Sequence, residues 1–87
     1  MNILFRSSAF KHNLTEDEII YAFSNIVKSK RMENAKFDFE NIWAVSILPN
    51  GKSCELIYFY QDIDNVVIFH AMSPARKTFV KELERKC

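Results

Sequence analysis

Three polar side chains, Ser46, Glu55 and His70, interrupt stretches that are otherwise almost wholly apolar. A carboxylate beside an imidazole raises the imidazole pKa, so a Glu55–His70 pair is a means of moving protons near neutral pH. The turns around these residues bring them together. With Asn50 and Gly51 as a two-residue hairpin loop, Pro49 faces Lys52 and Ser46 faces Glu55. With Gln61 to Asp64 as a second loop, Tyr60 faces Asn65 and Glu55 faces His70. The three then form a row across neighbouring strands on one face, with Cβ atoms roughly 4.5–5.5 Å apart. Such a row is also what a satisfied polar rim at the end of a sheet looks like. A one-residue change in the second loop would send Glu55 and His70 to opposite faces. A serine hydrolase is not indicated, since there is no nucleophile elbow and Gly51 is the only glycine.

Cations form the second group. Lys28, Lys30 and Arg31 cluster in one segment and Arg76, Lys77 and Lys81 in another, while Glu16, Asp17 and Glu18 gather elsewhere. The net charge of +1 weakens the case for a globally basic nucleic-acid binder, but a local basic face fits. Arg76 and Lys77 fall in the first turns of a predicted helix, where cations oppose the dipole, so another cause must place them there. Lys28 and Arg31 also suit a solvated edge that resists strand pairing. Glu82, Glu84, Arg85 and Lys86 read as an ordinary exposed helical face.

The elements that must position these groups are legible in part. Thr15 is a helix cap with Glu18 at the capping-box position, and Ile19, Ile20, Phe23, Ile26 and Val27 recur at helical spacing, giving a helix over about 16–26. Ser7 to His12 reads as a short helical turn before it. Val27 to Met32 reads as a short edge strand and Glu33 to Asn41 as loop, with Phe37 and Phe39 spaced to dock on the core. Ile42 to Leu48, Ser53 to Tyr60 and Val66 to Ala71 read as strands, and Asn50-Gly51 suits a type I′ turn. Ser73 caps a closing helix with Pro74 at its first position and Ala75, Phe79, Val80 and Leu83 on its apolar stripe, down to about Lys86. The expected fold is α+β: an N-terminal helix, a three- to four-stranded antiparallel meander and a C-terminal helix in two layers.

Composition bounds the rest. At 87 residues the chain holds one domain, residues 1–87, and at 48% apolar residues it can fold without staples. Cys54 and Cys87 are too few and too badly placed for a disulfide framework, which suits a reducing compartment. No run of 18 apolar residues and no signal-peptide core is present, so a cytoplasmic, membrane-free location is expected.

The segment Phe69-His70-Ala71-Met72-Ser73-Pro74-Ala75-Arg76-Lys77-Thr78-Phe79 resembles the ending of BrnT-type toxins, distant members of the RelE/ParE-like toxin group. Ser8-Ala9-Phe10-Lys11-His12-Asn13-Leu14-Thr15-Glu16 resembles the same proteins' opening, with Asn13 where they usually carry glycine. Asparagine tolerates the left-handed conformation, so this departure is mild. The hairpin from Leu48 to Leu56 is similar to theirs as well, and together the likeness spans nearly the whole chain.

This resemblance implies a RelE-like fold in the toxin of a bacterial type II toxin–antitoxin pair, neutralised by a cognate antitoxin and acting on messenger RNA without a metal. His12, His70 and Arg76 occupy the family-like positions. A metal-free ribonuclease needs a base for the 2′-hydroxyl, an acid for the leaving 5′-oxygen and cations for the charge that grows on phosphate. The expected roles are acid or base for His70, tuned by Glu55, or for His12; phosphate contacts for Arg76 and Lys77, with Arg31 and Lys11 as further clamps; and base stacking by Tyr58 or Tyr60.

Two other readings stand beside this one: a non-catalytic toxin-like module that binds another protein through its aromatic sheet, and a toxin that acts on a protein such as gyrase. A partner is also expected on physical grounds, because Trp43, Tyr58, Phe59, Tyr60 and Phe69 make a sheet that two short helices can hardly cover. An exposed edge strand would invite strand addition.

Overall fold

The computed structural model describes residues 1–32 and 40–85. The chain is α+β, with a five-stranded mixed sheet and two α-helices. In chain order these are β1 (Asn2–Phe5), a 3-10 turn (Ser7–Phe10), α1 (Glu16–Ser24), β2 (Ile26–Met32), β3 (Asn41–Ile47), β4 (Ser53–Asp62), β5 (Asn65–Met72) and α2 (Lys77–Glu84). The sheet order is β1-β5-β4-β3-β2. Strands β2 to β5 pair antiparallel with their chain neighbours, whereas β1 joins β5 in parallel. The expected meander is therefore matched only in part. Asn2–Phe5 is too short to announce itself; its place comes from pairing Ile3 with Val66 and Phe5 with Ile68, 60-odd residues away.

Helix α1 begins as its capping box dictates: the Glu18 N–H donates to Thr15 Oγ1 at 3.1 Å, and the Thr15 N–H donates to the Glu18 carboxylate at 3.0 Å. It ends at Ser24 because Ile26 already belongs to β2. Its Ile19 and Ala22 are buried, and Phe23 meets Tyr58 edge-on at 5.0 Å. Helix α2 buries Phe79 and Leu83 and stacks Phe79 flat on Trp43 at 4.7 Å. Tyr58 pairs with Ile42, and strand side chains alternate, so Ile42 and Trp43 point to opposite faces. The two helices thus cover opposite faces of the sheet, and the two-layer expectation gives way to three layers.

The first hairpin also differs. Gly51 is the only loop residue at positive φ (83°), with its N–H donating to the Leu48 carbonyl, and the Leu48 N–H donating to the Lys52 carbonyl, each at 2.9 Å. The loop is Pro49–Gly51, three residues in the type I plus left-handed pattern, not the two-residue I′ turn. Pro49 holds φ near −65°, which suits the first central position of a type I turn. The second loop is Ile63–Asp64, since Asp62 pairs with Asn65.

Helix α2 starts at Lys77, with Arg76 as N-cap, not at Ser73 and Pro74. The Ser73–Pro74 peptide is cis, and the segment is tied to β4. There Ser73 Oγ donates to the Ser53 carbonyl at 2.6 Å, and the Ala75 N–H donates to Ser53 Oγ at 3.0 Å. Of the expected loop from Glu33 to Asn41, residues 33–39, with Phe37 and Phe39, lie outside the described residues, and Asn41 belongs instead to β3, which it opens.

The aromatic surplus is smaller than composition suggests. Trp43 lies under Phe79 and Tyr58 under Phe23, and Phe59 packs with Phe69 at 5.9 Å beneath the Arg6 guanidinium. Among the described residues, Tyr60 is the strand aromatic left well exposed, at 47%.

Candidate functional site

Glu55 on β4 is the centre of the site. Its side chain is fully buried, and it pairs across the sheet with Val45 and Met72. Its Oε2 lies 2.7 Å from His70 Nε2 and accepts from Arg76 Nη2 at 2.9 Å, while Oε1 accepts from the Arg76 N–H at 2.9 Å and from Arg76 Nε at 3.1 Å. Burial would push the Glu55 carboxyl up, but the bonds from His70 and Arg76 outweigh it and hold the pKa down to about 2. An ionised carboxylate only accepts, so the His70 proton sits on Nε2 and leaves Nδ1 for other chemistry. Arg76 gains from the same contact, its pKa raised by Glu55. Its side chain is still 54% exposed. The outer edge of the guanidinium, Nη1, remains able to meet an anion.

The His12 ring lies 5.6 Å from the His70 ring, nearly perpendicular to it at 79°. Two local features put it there. Ser8 Oγ donates to the Phe69 carbonyl at 2.6 Å, fastening the 3-10 turn to β5, and Asn13 takes the left-handed conformation at φ 65° to turn the chain into α1. Lys11 and Lys77, both exposed, flank His12 and Arg76 in the chain.

The structure thus brings together His70, Glu55, Arg76 and His12. It leaves out Ser46. The three-residue hairpin sets Ser46 opposite Cys54, so Ser46 and Glu55 face opposite sides of the sheet, and Ser46 Oγ donates to the Cys54 carbonyl at 3.5 Å. Tyr58 cannot stack a base either: it is 4% exposed, and burial pushes its hydroxyl pKa up to about 12. Arg31 stands apart on β2, paired with Glu40 at 3.3 Å, and lines a shallow groove of about 180 Å³ with Tyr60. Comparison with protein-family models, with curated proteins and with solved structures gives no match to this chain.

Sequence reasoning missed the devices that hold the cluster. Ser53 and Ser73 anchor the approach to α2, and the Arg76 main chain as well as its side chain binds Glu55. A serine in each of two segments carries too little signal to pair them. Chemically, the arrangement offers two imidazoles, one locked in tautomer by a buried carboxylate, beside a forked cation. Those are the parts for proton transfer to and from an anionic substrate. Among the described residues no group of three or more His, Cys, Asp or Glu is placed to hold a metal, and no helix is long and apolar enough to cross a membrane.

Proposed function

We propose that the chain is a metal-independent endoribonuclease, the cytoplasmic BrnT-like toxin of a type II toxin–antitoxin pair, held inactive by a cognate antitoxin. The observation that carries this reading is Glu55 gripping His70 and Arg76 at once, with His12 beside them. In the proposed reaction His70 Nδ1 takes the proton from a ribose 2′-hydroxyl. The 2′-oxygen attacks phosphorus, the P–O5′ bond breaks, and His12 gives a proton to the leaving 5′-oxygen. The products are a 2′,3′-cyclic phosphate and a 5′-hydroxyl, with no water or metal consumed. Arg76 Nη1, with Lys11 and Lys77 nearby, meets the charge that builds on the phosphate. Tyr60 and Arg31 line a separate groove, and in this reading they touch flanking nucleotides rather than the reacting one.

The test is incubation of the chain with single-stranded RNA in excess chelator, followed by end analysis. Cyclic phosphate ends are expected, with a matched strand carrying 2′-deoxyribose left intact. His70→Ala and His12→Ala are each expected to slow cleavage by roughly 10²–10⁴-fold. Unchanged rates in both variants would refute the assignment. A non-catalytic interaction module is the second reading. It is favoured by the β1 edge, which carries no charge over Asn2–Phe5 and exposes Leu4, whereas the β2 edge is guarded by Lys28, Lys30 and Arg31. Absence of both cleavage and growth arrest on expression would support it.

A further inference from the structure

We propose that His12 and His70 form a binding site for a divalent transition-metal ion of the zinc type, and that its occupancy switches the site off. The binding half stands on geometry alone; the switching half rests on the ribonuclease reading. Ligating histidines almost always donate their second ring N–H to a carboxylate, which orients the ring and makes the ligating nitrogen more basic. His70 already has that arrangement, with Nε2 on the buried Glu55 carboxylate at 2.7 Å and, among the described residues, no hydrogen bond at Nδ1.

The second ligand is His12. Zinc–nitrogen bonds of about 2.0–2.1 Å place two rings on one ion with centroids about 5–6 Å apart at tetrahedral to trigonal angles. The observed separation is 5.6 Å. Among the described residues the His12 side chain makes no hydrogen bond, so its ring can turn to aim a nitrogen without breaking one. Its backbone needs no adjustment, since the Ser8 bond to β5 and the Asn13 turn hold it in place. Both rings are partly exposed, which lets water complete the coordination shell.

Two protein ligands beside the positive charge of Arg76 make a weak, exchangeable site rather than a resident one. Imidazole selects zinc, copper or nickel over magnesium and calcium, which want oxygen. An ion held there takes the lone pairs that would move protons in catalysis, so it inhibits instead of activating.

Calorimetric titration of the untagged full chain with zinc chloride tests this, in a Cys87→Ser background so that the terminal thiol does not compete. One ion per chain is expected, at least tenfold weaker in His12→Ala and in His70→Ala, with no heat from magnesium chloride. His12 makes no structural hydrogen bond among the described residues, so that variant decides the matter even if His70→Ala unfolds. Zinc binding unchanged in His12→Ala, or no binding at 1 mM zinc, overturns the inference. The two readings separate cleanly: zinc bound through both histidines by a chain that cuts no RNA sinks the ribonuclease and keeps the metal site. A chain that cuts RNA and ignores zinc does the reverse.

Discussion

Glu55 and His70 touch at 2.7 Å although they are not opposite each other in the sheet: Glu55 pairs with Met72, and His70 pairs with Ile57. The contact is diagonal. The pairing expected from turn lengths is two residues out of step with the one observed, and an error of two leaves both side chains on the same face because strand side chains alternate with period two. The offset arises at the second loop, where Asp62 rather than Tyr60 faces Asn65, and the irregularities at Ile57/Tyr58 and Tyr60/Asp62 offset one another. Long side chains reach across a diagonal where short ones do not, which is why the pair survives and Ser46, out by one residue on the other side, does not.

Glu55 holds the fold together as well as the site, because it ties the entry to α2 onto β4. Glu55→Gln removes the charge and leaves the shape. The expected loss is about 2–3 kcal/mol in urea unfolding, below the range for a fully buried pair because Arg76 is half exposed. A loss under 0.5 kcal/mol would show that the cluster contributes little to folding.

The same carboxylate makes stability depend on acid. Its folded-state pKa is lowered from 4.5 to about 2, so its contribution is complete above about pH 4.5 and is lost as pH falls toward 2. The difference amounts to up to about 3 kcal/mol. Unfolding midpoints measured at pH 6 and pH 3 should drop more in the native chain than in Glu55→Gln; parallel drops would contradict the assignment.

Gly51 is required by backbone conformation alone. It sits at φ 83°, and nothing lies within 4 Å of where a Cβ would project. Gly51→Ala should therefore cost about 1–2 kcal/mol with no change in the sheet, and Gly51→Asn less. Equal stability of Gly51→Ala and the native chain would argue for a different turn.

Cys54 is buried beneath α1, and burial pushes its thiol pKa up to about 11. In a Cys87→Ser background it should resist thiol reagents at pH 7.5 and react fully in denaturant, because only the thiolate is nucleophilic. Rapid labelling of the folded chain would mean that the core opens there.

What the amino-acid sequence determined by itself was local. Thr15 and Glu18 start α1, the Pro49-Asn50-Gly51 run turns the chain, Asn13 accepts a left-handed bend, and apolar alternation makes β3, β4 and β5. Each depends on residues within a few positions of one another, where propensity and hydrogen-bonding chemistry act without help from the rest of the chain. Glu55 and His70 were legible as a pair for the same reason, since one short turn joins their strands. Only the tertiary structure decided the rest: that Asn2–Phe5 is a strand, that α2 takes the face opposite α1, that Tyr58 is core, and that Arg76 and His12 close on Glu55 and His70. Those contacts join residues from 21 to 63 positions apart. Nothing local distinguishes one partner from another at such separations; the choice is made by which faces must be buried once the sheet has formed.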